Sequence, residues 1–318
     1  GKNWNIGLDW TLFKGRLYGS FNYFSRRQQD LLGDYNVSVP PYLFTSTFVN
    51  VGSMHNSGFE FDVTWNAIKT KDFSYTLNVV GATMNNKFVD FSNSKFVGQD
   101  YYDEVSPEDP YPFHHLQRIE RGRRIGSFYM LKYAGVDKQG RWVVYDKNNN
   151  MVLADNATDE DRQYVGNGLP RFTGSMTHTF HYKQFDASLF FQTALGFDIF
   201  NIHDFYYSTK NFQGNVMDKA YSKNKLVSQN PIVSDYFLEP GDYLKLSSVN
   251  IGYTLNLNKR FIDSVRIYAT ASNLFTITKF SGIDPSTWEL NGLNPGATNS
   301  RTYYPNTRQF MLGMQIDF

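Results

Sequence analysis

Apolar and polar residues alternate in segments of about ten residues that follow one another along the whole chain. In the first segment Trp4, Ile6 and Leu8 fall on one face, and Asn5 and Gly7 fall on the other. Successive side chains of a β-strand point to opposite faces, so each segment predicts a strand with one apolar and one polar side. The eleven predicted strands lie near residues 3–13, 16–29, 57–67, 73–86, 124–136, 141–146, 170–182, 185–201, 243–256, 264–278 and 308–318.

The links between these segments switch regularly between short and long. Short links are predicted at 14–15, 68–72, 137–140, 183–184 and 257–263, and long links at roughly 31–57, 87–124, 147–169, 202–242 and 279–307. A strand of about ten residues is ~33 Å long and, tilted near 45°, rises roughly 24 Å, close to the apolar band of a membrane barrel. Short turns at one rim and long loops at the other are typical of outer-membrane barrels. The predicted fold is an all-β, transmembrane, antiparallel up-and-down β-barrel.

A soluble β-sandwich also has alternating strands, and alternation alone does not say which face meets water. The number of strands, the sorting of the loops by length and the aromatic residues near strand ends favour the membrane barrel. The aromatic residues predicted to lie at the membrane interfaces are Trp4, Trp10, Tyr18, Tyr23, Trp65, Tyr75, Tyr129 and Tyr133.

The composition excludes several other classes of protein. The 318 residues carry a formal net charge of +1, so no electrostatic argument supports nucleic acid as a partner. The mean hydropathy of −0.47 argues against a helical membrane protein, but it is compatible with a barrel in which half of each strand is polar. The absence of cysteine excludes disulfides, cysteine-zinc sites and thiol catalysis.

The chain begins inside a strand pattern, without an initiator methionine or a signal peptide. The predicted strand count is odd, whereas single-chain bacterial barrels have even counts. We therefore expect residues 1–318 to be a fragment, and twice eleven strands equals the 22 of plugged outer-membrane transporters. Expressed alone, such a half-barrel would leave two unpaired strand edges in lipid, so we expect it not to form a stable barrel.

The long loops supply the candidate binding residues, because aromatic rings flanked by amides and carboxylates suit sugar or peptide ligands. The candidates for substrate binding are Tyr101, Tyr102, Tyr206, Tyr207 and Trp288. An alternative interpretation is that these aromatic residues pack the loops against one another.

Metal-binding patterns in the sequence are incomplete. Asp146 to Asn150 matches the first ligand positions of a calcium loop, but Met151 replaces the required glycine and Ala157 replaces the final glutamate. We predict a solvated turn there, with calcium as the alternative. His178 and His181 fall on opposite faces of one strand and cannot share a metal. The prediction is therefore that the chain has no metal site and no cofactor.

Catalytic motifs are not evident, since the sequence contains no G-x-S-x-G, H-E-x-x-H or P-loop pattern. Glu60, Asp62 and Asp9 could be interpreted as paired carboxylates. Polar residues that face the water-filled interior of a barrel explain them more simply. We predict that the chain is not an enzyme.

Several stretches match one known family in order and spacing. They are Asn50-Val51-Gly52, Asn56 to Phe61, Gly168 to Gly174, Leu244 to Tyr253, Ile267 to Leu274, Ser281 to Pro285, Tyr304-Pro305 and Gln309 to Phe318. Across nearly its whole length the chain resembles the C-terminal part of SusC/RagA-type TonB-dependent transporters of the Bacteroidota. The last ninety or so residues carry the most specific part of this resemblance.

The resemblance implies that residues 1–318 are the C-terminal half of a 22-stranded barrel in the outer membrane of a Gram-negative bacterium. It implies a plug and a TonB box in a part of the polypeptide outside this chain, and a SusD-like surface lipoprotein as the partner. The imported substrates would be oligosaccharides (glycans) or peptides, and outer-membrane lipid would surround the barrel. Phe318 and Phe310 resemble the barrel-assembly signal at the end of such chains.

We therefore expect a transport scaffold whose polar interior and long loops bind substrate. One alternative is an importer of siderophores or cobalamin that has no lipoprotein partner. The other is a small, self-contained outer-membrane enzyme or adhesin.

Overall fold

The computed structural model describes residues 1–37, 39–91, 100–107, 115–259, 261–287, 292–298, 302 and 304–318. Its strands are β1 (Lys2–Leu12), β2 (Leu17–Asn36), β3 (Ser46–Lys69), β4 (Phe73–Thr83), β5 (Asn85–Asp90), β6 (Tyr101–Glu104), β7 (Gln117–Glu120), β8 (Ser127–Met130), β9 (Lys132–Val136), β10 (Trp142–Tyr145), β11 (Met151–Leu153), β12 (Gln163–Asn167), β13 (Phe172–Tyr182), β14 (Phe185–Leu195), β15 (Asp198–Phe200), β16 (Leu238–Pro240), β17 (Tyr243–Lys259), β18 (Ile262–Thr278) and β19 (Gln309–Asp317). The α-helix α1 spans Ile202–Tyr207. No helix within the described residues is both long and apolar enough to cross a membrane.

Nine long strands form one antiparallel sheet, which we call the wall. Their order is β1-β2-β3-β4-β13-β14-β17-β18-β19, and β5 joins as a tenth strand by pairing with β3. Neighbours in this order pair antiparallel throughout, so the strands run alternately up and down. The predicted antiparallel barrel architecture is confirmed.

The outer face of the wall is apolar and open. The strand register places Ile6 beside Tyr23 and Tyr23 beside Phe59, so one apolar row continues from strand to strand. On β19 the side chains of Phe310 and Leu312 are 76% and 78% exposed. An exposed apolar surface of this extent fits contact with lipid chains.

The inner face of the wall is polar and hydrogen-bonded. Asp9, Ser20 and Asp62 stand in one row across three strands. Asn78 Nδ2 donates to Asp62 Oδ1 at 2.6 Å and to Thr64 Oγ1 at 2.9 Å. These contacts make Asp62 part of a polar surface, which is typical of the interior of a membrane barrel.

The connections between wall strands differ greatly in length between the two edges of the wall. Residues 13–16, 70–72, 183–184 and 260–261 join wall strands at one edge, which we call the short-turn rim. At the opposite edge the connections are residues 37–45, 84–171, 196–242 and 279–308. The sorting of short and long links onto opposite sides is thus present. The first long link, 37–45, is shorter than the predicted 31–57, whereas the predicted links 87–124, 137–140 and 147–169 belong to one connection, 84–171.

Two predicted wall strands, 124–136 and 141–146, are wrong. Residues in these segments form β8, β9 and β10, which belong to two small sheets outside the wall. Strands of four or five residues reach only ~13–17 Å and are too short to cross the membrane. Tyr129 and Tyr133, predicted to lie at a membrane interface, are therefore part of the connection between β4 and β13.

The three longest connections fold together into one body, which we call the head: the described residues of 84–171 apart from β5, of 196–242 and of 279–308. Small sheets β6-β7-β8-β12, β9-β10-β11 and β15-β16 build it together with α1. Its main core, which also takes in Ala194 from the end of β14, consists of Leu116, Phe128, Met130, Trp142, Ala194, Phe197, Ile199, Phe200, Ile202, Phe205, Tyr206, Val227, Val233, Phe237, Phe280 and Ala297. The head is attached to the wall by an ion pair of Lys245 Nζ with Asp284 Oδ2, 2.9 Å apart.

Candidate functional site

A cleft of about 510 Å³ opens in the head between residues 154–162 and residues 211–233. Its lining residues are Leu131, Ala154, Asp155, Ala157, Thr158, Asp159, Arg162, Asn211, Gln229, Asn230, Pro231, Ile232 and Val233. A second hollow of about 260 Å³ shares Asn211, Asn230 and Pro231 with the first. The two spaces therefore lie next to each other.

The lining of the cleft combines amides with an apolar wall. Asn211 Nδ2 donates to the carbonyl oxygen of Ser228 at 3.0 Å, and Gln229 Nε2 donates to Asp155 Oδ2 at 2.8 Å. These bonds fix the orientation of the amides. The side-chain oxygen of Gln229 also accepts from the backbone N–H of Trp142 at 3.0 Å, so Asn211 is the one of the two that offers its oxygen to a ligand. Pro231 and its neighbours supply the apolar surface. Such a mixture suits a ligand with both hydrogen-bonding and apolar parts.

Arg162 places a buried cation in the lining of this cleft. Its side chain is only 8% exposed, and its Nε lies 3.5 Å from Oδ1 of Asp159, which is itself 95% exposed. A guanidinium has five N–H donors, and a single long contact satisfies few of them. Within the described part of the chain no other ion pair of Arg162 is formed. The side chain is thus suited to bind an acceptor group of a ligand.

The first two candidate tyrosines lie side by side on β6 and have different surroundings. Tyr101 is exposed, and the Arg118 guanidinium lies 3.8 Å from its ring centroid, so one ring face is covered. Tyr102 packs edge-on against Phe88 and Phe91. Burial raises the pKa of the Tyr102 hydroxyl, which therefore stays protonated. Of this pair, Tyr101 has the ring that a ligand can reach.

The other candidates lie elsewhere in the head. Tyr206 is 3% exposed and belongs to the main core, although one edge of it borders the smaller hollow. Tyr207 is half-buried and packs edge-on against Phe212, with ring centroids 4.8 Å apart. Trp288 lies outside the described residues. The four described tyrosines are therefore divided between two packing clusters, and packing accounts for most of their ring surface.

In the segment that resembles a calcium loop, the carboxylates accept hydrogen bonds from backbone N–H groups of the protein itself. Asp146 Oδ1 accepts from the backbone N–H groups of Asn148 and Asn150, each at 2.8 Å. Asp161 accepts from the backbone N–H groups of Thr158 and Lys147. The bond from Asn150 to Asp146 and the bond from Thr158 to Asp161 contribute most to lowering the pKa values of these carboxyls. Among the described residues, no group of three potential ligands is arranged to hold a metal.

Comparison with curated proteins finds relatives that match the whole chain. The chain is 29% identical to TonB-dependent receptor P3 of Formosa agariphila over 357 aligned residues, which cover 100% of this chain and 34% of that protein. It is 28% identical to TonB-dependent receptor SusC of Bacteroides thetaiotaomicron, over 99% of this chain and 31% of that protein. No family model matches the sequence.

Solved structures of similar proteins share the fold of this chain. The RagAB peptide importer in the closed-closed state superposes with a TM-score of 0.79 at 26% identity, over 99% of this chain and 35% of that chain. A second RagAB peptide transporter structure has a TM-score of 0.79 at 23% identity. The resemblance to the barrel portion of SusC/RagA-type TonB-dependent transporters is confirmed.

The chain spans about a third of the length of these relatives. Their names are those of receptors and transporters, as predicted for a protein that is not an enzyme. Phe310 lies on the outer face of β19, and Phe318 is the exposed residue that follows this strand. The assembly signal predicted for these two residues stays a prediction.

Sequence reasoning missed the residues that line the cleft of the head. Arg162, Asn211 and Asn230 come from two different connections and follow no periodic pattern. The only available signal was the length of these connections, because long loops in a compact protein are usually functional or disordered. Their meeting in one cleft depends on the folded head.

Proposed function

We propose that this chain is part of an importer that carries oligosaccharides or peptides across the outer membrane of a Gram-negative bacterium of the Bacteroidota. The apolar outer face and polar inner face of the wall support a membrane-spanning passage. The relatives named TonB-dependent receptor and SusC, together with the fold of RagAB, support import energised by TonB.

The observation that carries the proposal is the cleft in the folded head at the rim with long loops. Its amides and the Arg162 guanidinium provide directed hydrogen bonds, and Pro231 with Ile232 provides an apolar surface. Oligosaccharides and peptides both alternate polar groups with apolar patches, so both fit this chemistry. Substrate would bind in the cleft and then pass along the inner face.

The proposed partners follow from the resemblance. A SusD-like surface lipoprotein would cover the head and enclose the substrate from outside. TonB would act through a plug in another part of the polypeptide. The exposed ring of Tyr101 would offer a stacking surface for a sugar or an aromatic side chain near this lid.

The test is a substitution that fills the cleft. Asn230→Trp adds a large ring at an exposed lining position, and Asn148→Trp adds the same ring at an exposed position outside the lining. Cells that carry the complete transporter and its lipoprotein would be given labelled oligosaccharides and labelled peptides in parallel. Loss of two or three ligand hydrogen bonds predicts that uptake of one class falls by roughly tenfold or more in Asn230→Trp.

The control variant should keep uptake at the level of the unmodified transporter. Unchanged uptake of both substrate classes by Asn230→Trp would contradict a role for the cleft. Co-purification of the lipoprotein with both variants would show that the lid still binds, so a loss of uptake would then reflect substrate binding.

A further inference from the structure

The short-turn rim carries a concentration of positive charge. The exposed cationic side chains of its first three turns are Lys14, Arg16, Lys69, Lys71 and Lys183. A single carboxylate, Asp72, lies in the same turns. None of these five cations forms an ion pair with another described residue. Most of the positive charge of these three turns is therefore uncompensated within the described chain.

The three turns are held close to one another. The backbone N–H of Lys183 donates to the carbonyl oxygen of Asp72 at 2.8 Å, which joins the third turn to the second. The backbone N–H of Asn66 donates to the carbonyl oxygen of Arg16 at 2.7 Å, which joins the first turn to β3. The cations thus belong to one continuous surface.

Two of the lysines occupy a backbone conformation that lysine does not favour. Lys14 has φ of 56° and Lys183 has φ of 52°, both in the left-handed region. Glycine and asparagine enter this region more easily, and tight hairpin turns usually contain them. The requirements of the turn do not explain why lysine stands at both positions. A role for positive charge at the tip of each turn would explain the presence of lysine at these positions.

Aromatic residues border the cations on the outer face of the wall. Trp65, Tyr182 and Phe185 lie within five residues of a short turn and are 48%, 51% and 52% exposed. Aromatic side chains of this kind mark the interface between lipid chains and headgroups. Lys71 and Lys183 lie in turns beyond the strand ends that carry this belt. A cation next to an interfacial aromatic belt is within reach of lipid phosphates.

We propose that the short-turn rim binds the phosphate groups of anionic phospholipids in the leaflet that it faces. Each Lys or Arg near an anionic membrane surface is attracted to it. A lysine can also extend its stem over the aromatic belt while its ammonium group reaches the phosphate. The aromatic belt on the lipid-facing side favours lipid over a soluble protein as the partner.

The test is a variant that removes charge without weakening the turns. Lys14→Asn and Lys183→Asn suit the left-handed backbone better than lysine does, and Lys71→Gln is combined with them. The complete transporter would be purified in detergent and titrated with phosphatidylglycerol or phosphatidylcholine, and bound lipid would be counted by native mass spectrometry. We expect the unmodified protein to prefer phosphatidylglycerol by roughly tenfold or more, and the variant to lose this preference.

The matched control removes three lysines that lie away from this rim. Lys2 is at the opposite end of β1, and Lys138 and Lys225 are exposed residues of the head. Their replacement by glutamine should leave the preference for phosphatidylglycerol intact. An unchanged preference in the rim variant would overturn the proposal. If that variant also lost transport, the rim would be assigned to a protein partner instead.

Discussion

The wall and the head are both built from β-strands, but they bury their apolar residues in different ways. On the wall, residues such as Leu312 stay largely exposed on the outer face because lipid replaces a protein core there. In the head, Phe128, Trp142 and Phe205 are fully buried and belong to one hydrophobic core. The wall is therefore shaped by two different solvents, and the head is shaped by packing between connections that are distant in sequence.

The largest expected effect comes from opening the core of the head. Trp142 is fully buried, packs on Tyr236 and Phe237, and donates from Nε1 to the carbonyl oxygen of Asn230 at 2.8 Å. Trp142→Ala should lower the free energy of unfolding of the head by about 3–5 kcal/mol. Limited proteolysis should then cut the head first, while the wall keeps its heat-modifiable mobility on a gel.

The control for this variant is Leu312→Ala on the outer face of the wall. It removes apolar surface without making a cavity, and the proteolysis pattern of the head should not change. If Trp142→Ala made the wall and the head unfold together, the stability of the wall would depend on that of the head.

The junction between the two regions gives the next largest effect. Lys245 extends from β17 and is 4% exposed, and its Nζ also donates to Ser286 Oγ at 2.7 Å. Asp284→Ala would leave this buried charge without its carboxylate, which should cost roughly 3 kcal/mol. Thermal unfolding of the head should shift to a lower temperature. Restoration of stability by adding Lys245→Met would show that the unpaired charge was the cause.

A third substitution compares the two faces of the wall. Leu312→Arg puts a charge on the lipid side about halfway along β19 and should cost roughly 2–4 kcal/mol. Thr177→Arg puts the same charge beside Asn78 on the inner face, where water can solvate it. Yield of folded protein in the outer membrane should fall for the first variant only. Equal losses for both would contradict the assignment of the faces.

The smallest expected effect is a pH dependence within the head. Burial raises the pKa of the Asp198 carboxyl, and the negative charge of Asp242 adds to this shift. Ionised Asp198 therefore destabilises the folded head above its folded-state pKa. The penalty shrinks as pH falls from that value towards 3.8 and is absent below it.

The isosteric variant Asp198→Asn removes this titration and keeps an oxygen that can accept from the N–H of Asn167. We expect this variant to stabilise the head at neutral pH. Between pH 3.8 and the folded-state pKa of Asp198, the unfolding temperature of its head should depend less on pH than that of the native protein. A variant that was less stable than the native protein at neutral pH would show that the charge is needed.

The sequence predicted the wall well because each face of a strand meets one environment over its whole length. The segment around His178 and Phe191 is read correctly from alternation, and its pairing follows from the short turn at Lys183. The small strands of the head were misread as wall strands because β8 and β10 also alternate. Their short length and the burial of Phe128 and Trp142 appear only once the connections are folded.

The candidate site was harder to predict, again for a physical reason. Tyr206 looked like a ligand-binding aromatic residue, but its ring is used to fill the core of the head. Arg162 gave no signal at all, because an arginine in a polar loop is normally exposed. The burial of both side chains depends on contacts between residues from separate connections. These contacts cannot be predicted directly from a single sequence.

In this structure the long connections form one folded head and are not separate flexible loops. Hydrogen–deuterium exchange of the complete transporter in nanodiscs tests it directly. We expect backbone amides of β8 and α1, such as those of Tyr129 and Phe205, to exchange as slowly as amides of wall strand β13. Exchange of these head amides within seconds, while β13 stays protected, would contradict the account.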